Sequence, residues 1–75
     1  MNLDDRRFLR DLGLRLRQHR LARNWSQAEL ASRCALHRTF SGSVERGERN
    51  LSILNLRAIA KVLRVSLSDL CAGLA

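Results

Sequence analysis

Three short apolar runs in this chain are introduced by the same grammar, and that grammar leaves room for little besides helices. Ser26 precedes the first, with Glu29 three residues on and with Trp25 and Leu30 on either side of the cap. At that spacing a serine hydroxyl accepts from a backbone N–H that has no partner inside the helix, and the flanking apolar pair staples the entering chain in place. Ser66 and Asp69, flanked by Val65 and Leu70, repeat the pattern. Ser52, with Leu51 and Leu56, gives a third start in which Asn55 stands where the acid would be. Upstream, Phe8, Leu12 and Leu16 recur every four residues with Leu9 beside them, one apolar stripe of a longer helix. Asp4 and Asp5 suit the positive end of its dipole and Arg20 and Arg23 the negative end. Asn24 tolerates the left-handed conformation that closes a helix. The expected helices are therefore about 5–23, 27–34, 38–45, 53–63 and 67–73. Proline is absent and no stretch alternates with period two, so no sheet is expected. At 75 residues the chain reads as one domain, 1–75, with a thin core.

Charge narrows the choice of partner. The formal net charge is +7, and thirteen of the fourteen basic residues are arginine. Arginine presents a planar fork that grips phosphate or guanine with two hydrogen bonds. A small domain this basic points first to nucleic acid and second to an anionic membrane surface. Arg6, Arg7, Arg10, Arg15 and Arg17 read as a solvated face that adds long-range attraction. Cys34 and Cys71 fall on apolar stripes and read as small buried hydrophobes without a disulfide. Charged residues occupy positions 4 to 7, where a signal peptide needs an apolar run, so a cytoplasmic location is expected. Cys34 and His37, with His19 and Cys71 elsewhere, do not supply four convergent zinc ligands. No glycine-rich phosphate loop or nucleophile elbow is present. Neither metal nor cofactor is expected, and there is no case for an enzyme.

The stretch from Ser26 to Asn50, SQAELASRCALHRTFSGSVERGERN, is the informative one. A short capped helix ends near Cys34, Ala35 to His37 turn the chain, and a second short helix runs from Arg38 toward Gly47. Helices joined by so short a turn cross steeply. Leu30, Cys34, Leu36 and Val44 are expected to form their shared seam, with Ala31 small at the close approach. The second helix then protrudes from a compact base and is sized for the DNA major groove. Its leading half carries Arg38, Thr39 and Ser43. Arg38 is suited to guanine O6 and N7, and Thr39 to a hydrogen bond or a thymine methyl.

This segment, at about residues 27–46, resembles the helix-turn-helix of the lambdoid phage repressor and Cro (XRE-type) regulators. The resemblance rests on Gln27-Ala28-Glu29-Leu30-Ala31, Leu36 and Val44-Glu45-Arg46-Gly47, with Gly13, Leu16 and Arg20 upstream, and it covers about residues 8 to 74. The run His37-Arg38-Thr39-Phe40, with Gly42 through Asn50, is similar to small stand-alone regulators, restriction–modification controller proteins among them. The resemblance implies a compact all-α, five-helix, lambda-repressor-like fold. It implies base contacts from Arg38, Thr39 and Ser43, with Phe40 either in the core or against a thymine methyl. It implies phosphate contacts from Gln27, His37, Arg46 and Asn50. Arg20 and Glu45 match a partly buried ion pair that pins the first helix to the recognition helix.

Four positions depart from that pattern. Ser41 stands where an aliphatic residue usually meets the core, and His19 where the first helix is usually aliphatic. Ala35 replaces a turn glycine, which is harmless at negative φ. His37 is a weaker N-cap than serine or threonine. The reading that follows is a sequence-specific transcription regulator that binds a palindromic operator as a homodimer. Leu63, Val65, Leu67, Leu70 and Leu74 are the expected dimer seam. The expected partners are double-stranded DNA, a second copy and, at a promoter, RNA polymerase, with no membrane. The competing reading is an antitoxin-like protein-interaction module that keeps the fold without reading DNA.

Overall fold

The computed structural model describes residues 2–74, folded as α1 (Leu3–Ala22), α2 (Gln27–Arg33), α3 (Arg38–Glu45), α4 (Ile53–Leu63) and α5 (Leu67–Cys71), with no strand among them. The serine starts behave as their spacing requires. Ser26, Ser52 and Ser66 each accept from the backbone N–H three residues on, at 3.0, 3.1 and 2.9 Å. The reciprocal half of the box is not used at Glu29, whose carboxylate instead holds Arg33 one turn along at 3.0 Å. α1 begins two residues earlier than expected, because Asn2 Oδ1 accepts from Asp5 N–H at 2.8 Å. α5 stops at Cys71, short of the expected end.

The helix ends share a second grammar. Asn24, Ala35, Gly47 and Arg64 all adopt positive φ, between 56 and 74°. After each, an N–H reaches back five residues: Trp25 to Arg20 O, Leu36 to Ala31 O, Glu48 to Ser43 O and Val65 to Ala60 O, at 2.8–3.3 Å. This is the Schellman closure, which satisfies the last carbonyls of a helix. Trp25, Leu36 and Val65, the residues just past three of the closures, pack against the core. Ala35 departs from expectation here. Its φ is +56° rather than negative, which costs on the order of 1 kcal/mol for an alanine and keeps the turn into α3 tight.

Leu12, Leu16, Leu30, Val44, Leu56, Ile59, Ala60, Leu63 and Leu70 make the core. α2 packs on both α3 and α4, while α1 lies across α3 and reaches α5. The α1–α3 crossing is close: a Cβ on Gly13 would lie 2.5 Å from the Glu45 carbonyl oxygen and 2.6 Å from that of Val44. Arg15 is not part of a solvated face. It is half-buried, and its guanidinium donates to the carbonyls of Asp69, Leu70 and Ala72 at 3.1, 3.3 and 2.9 Å, capping the C-terminal end of α5 from α1.

Two residues of the expected dimer seam, Leu63 and Leu70, need correction. Leu63 and Leu70 are 1% and 0% exposed and belong to the core, and Val65, Leu67 and Leu74 are half-buried against it. The α4 and α5 stripes face inward because α4 packs on α2, α5 packs on α1, and the two pack on each other. The large apolar side chains left in solvent lie elsewhere, and Ile53 and Leu54, 65% and 70% exposed, form an adjacent pair at the start of α4. No described helix is long and apolar enough to cross a membrane.

Candidate nucleic-acid interface

α3 is held from below by charge. Arg20 on α1 donates through Nε and Nη2 to the two oxygens of Glu45, at 2.7 and 3.0 Å, with both residues buried. The third donor is not wasted: Nη1 meets the Trp25 carbonyl at 2.7 Å. Gln27 Nε2 adds a bond to Glu45 Oε1 at 3.3 Å. One carboxylate therefore ties α1, the start of α2 and the end of α3 together. The pair expected from the sequence is present and better buried than expected.

Above this anchor the surface is open. Gln27, Arg38, Thr39, Gly42 and Arg46 line one shallow depression along α3. Arg38 and Thr39 are exposed at its leading end, and neither side chain hydrogen-bonds another described residue. His37 caps the helix: its Nδ1 accepts from Thr39 N–H at 3.2 Å, which leaves Nε2 of this exposed residue without a hydrogen bond to another described residue. Gly42 sits between two of the polar groups, since a Cβ there would lie 3.1 Å from Gln27 Oε1 and 3.3 Å from Arg46 Nη1. A missing side chain at this point lets the amide and the guanidinium approach across α3. Gly42 was not singled out from the sequence, where it reads as an ordinary weak helix residue. Arg46 is exposed and paired with Glu48 at 3.1 Å. Its hydrogen bond to the Glu48 carboxylate, together with that group's charge, favours the charged guanidinium even more than usual.

Ser43 does not belong to this surface. It is 6% exposed, its hydroxyl donates to the Phe40 carbonyl at 2.8 Å, and it accepts from Arg49 Nε at 3.2 Å. Its spacing from Thr39 is right for one face of a helix, but Arg49, from the loop after α3, bonds to the Ser43 hydroxyl and engages it. Ser41 is buried as well. Phe40 is half-buried against the core with the Arg49 guanidinium over its ring, 5.5 Å from the centroid. Arg49 is the residue that sequence reasoning passed over. It extends from the loop after α3 back onto α3, and only the doubled arginine of Arg46 and Arg49 hinted at it. Asn50 is exposed but lines a different, largely apolar depression with Phe8, Leu9 and Leu51.

Among the described residues no group of three or more His, Cys, Asp or Glu side chains is placed to hold a metal ion. Burial pushes the Cys34 thiol above its usual pKa, which makes it a poor thiolate.

The helix-turn-helix family model matches residues 16–70, which contain the Arg20–Glu45 anchor and the whole of α2, α3 and α4. The chain belongs to the helix-turn-helix family. Within it, the chain is similar to the control protein C.BamHI of Bacillus amyloliquefaciens, at 48% identity over 59 residues, 77% of this chain and 73% of that protein. It is also similar to the control protein C.SmaI of Serratia marcescens, at 46% identity over 55 residues, 73% of this chain and 66% of the relative. Among solved structures, the restriction-modification controller protein C.AhdI from Aeromonas hydrophila superposes with a TM-score of 0.81 at 40% identity, covering 83% of this chain and 94% of that one. The resemblance to controller proteins read from residues 37–50 is therefore matched by relatives of that kind. In helix-turn-helix terms α2 and α3 are the motif, and α3 is its second helix.

Proposed function

We propose that this DNA-binding transcription regulator of helix-turn-helix type recognises an inverted-repeat operator as a homodimer, with residues 1–75 acting as one domain. The observation that carries this reading is the state of the first turn of α3. Arg38 and Thr39 are exposed and unengaged on a helix whose other end is fixed by a buried ion pair. Free side chains on a rigid element are what base reading requires. Placed in the major groove, Arg38 donates twice to guanine O6 and N7, and Thr39 meets the neighbouring base. Gln27 at the start of α2, His37 through Nε2, and Arg46 take backbone phosphates and set the register. Phe40 serves packing, and Ser43 holds Arg49.

A single recognition helix covers few base pairs. Two of them, about one DNA turn (~34 Å) apart, give a usable site. The seam we assign is the exposed pair Ile53 and Leu54, next to the apolar depression walled by Phe8, Leu9, Leu12, Leu51 and Leu56. A second copy can present the same pair to the same depression under two-fold symmetry, which makes the contact self-complementary. At a promoter the bound dimer then acts on RNA polymerase, by contact or by overlap according to where the operator lies.

Selection of bound duplexes from a random pool at stated salt tests the reading. The expected product is an imperfect palindrome. Arg38→Ala should weaken operator binding by about 1–3 kcal/mol and relax one position in each half-site. An unchanged base preference in that variant would remove Arg38 from base reading. The double variant Ile53→Glu/Leu54→Glu should keep its circular dichroism, sediment as a monomer and lose at least tenfold in operator affinity (~1.4 kcal/mol). A dimer that survives both substitutions places the seam elsewhere.

A further inference from the structure

Arg46 lines two depressions, and only one of them runs along α3. The second is walled by Arg6, Arg10, Arg46, Gly47 and Glu48. Arg6 and Arg10 lie one turn apart on α1, so their side chains leave the same face. Both are exposed, and neither guanidinium hydrogen-bonds another described residue. Gly47 is what brings them beside Arg46. Its φ is +74°, and a Cβ there would stand 2.7 Å from Arg10 Cα and 2.8 Å from Arg10 N, so the loop after α3 lies directly on the backbone of α1. The outcome is three arginines around one opening with one acidic residue among them. That residue, Glu48, is bonded to Arg46 at 3.1 Å.

We propose that this second depression is a phosphate-binding site for duplex DNA, continuous with the α3 face through Arg46, in which Glu48 occupies the place of a phosphate in the free protein. The inference rests on the reading of α3 as the helix that faces DNA, and it adds a further length of backbone to the same footprint. Carboxylate and phosphate both offer oxygen acceptors to a guanidinium fork, so one can replace the other at Arg46. When the duplex arrives, the phosphate exchanges with Glu48, and Arg6 and Arg10 meet the strand beyond it. Part of the attraction of Arg46 for DNA is therefore offset before binding, on every sequence alike. Glu48 lowers affinity for random duplex and for operator alike, so the operator-to-random ratio is left to the contacts at the head of α3.

The test uses a random-sequence duplex and the selected operator, each titrated over a salt series. Arg6→Ala/Arg10→Ala should lower the slope of log K against log salt by about one to two on both duplexes, with the operator-to-random ratio unchanged. Arg57→Ala/Lys61→Ala, which removes two exposed charges of α4 outside both depressions, is the control and should change the slope clearly less. Glu48→Gln should tighten binding to random duplex several-fold at low salt, and this gain should vanish in an Arg46→Ala background. A slope for the Arg6/Arg10 variant equal to that of the wild type or the control overturns the site. A Glu48→Gln gain that persists without Arg46 overturns the exchange. A wild-type protein without operator preference would count against the proposed function instead, while the slopes on random duplex still decide this inference.

Discussion

Glu45→Ala should remove most of this protein's stability. Arg20 and Glu45 are both buried, and the truncation strands a guanidinium that keeps only the Trp25 carbonyl as a partner. Breaking such a pair from one side costs about 3–5 kcal/mol. A domain of this size holds on the order of 5 kcal/mol in total. Urea unfolding followed by circular dichroism should therefore show a midpoint shifted to low denaturant, below about 2 M, and duplex binding should fall with the fraction folded. Replacing both partners, as in Arg20→Met/Glu45→Leu, should cost less than the single change, because no charge is left buried without its counter-ion. A single-variant cost below about 1 kcal/mol would mean that water reaches the pair and that α3 is held by packing alone.

Gly13→Ala is the second large effect. Its Cβ would fall within 2.5–2.8 Å of the Val44 and Glu45 carbonyl groups, which are backbone and cannot rotate away. Against this stands the better helix propensity of alanine, about 1 kcal/mol. Overpacking of this kind costs about 1–3 kcal/mol or more, and its only relief is to separate α1 from α3. Both stability and the aim of α3 should suffer. The expected result is a melting temperature lowered by several degrees, with operator affinity falling further than the loss of folded protein explains. A variant as stable as the parent, with full affinity, would show that the crossing has slack.

The helix starts were legible because they depend on residues three apart, and a serine cap needs only its own helix. The ends were half legible. Asn24 and Gly47 are residues that accept positive φ, whereas Ala35 and Arg64 adopt it because the apolar residues after them, Leu36 and Val65, are drawn to the core. The buried ion pair was legible through resemblance. What could not be read was anything set by the angle between helices. Ser43 and Thr39 share a helical face, and it is the return of the loop carrying Arg49 that engages one and leaves the other open. Arg15 was assigned to solvent on its spacing, yet it spans more than fifty positions to cap α5. Leu63 and Leu70 looked available for a partner because an apolar stripe does not say whether its neighbour belongs to the same chain.

The residues that hold α3 and those left free on it are different. Glu45, Gly13 and Gln27 fix where the helix points, and Arg38 and Thr39 contribute nothing to keeping it there. Substitutions at the two outer positions therefore carry almost no folding cost. If Arg38 and Thr39 read bases as proposed, a lineage of such regulators can drift from one target sequence to another through a series of intact intermediates. Two copies of the gene in one cell could come to ignore each other's targets after a very few changes.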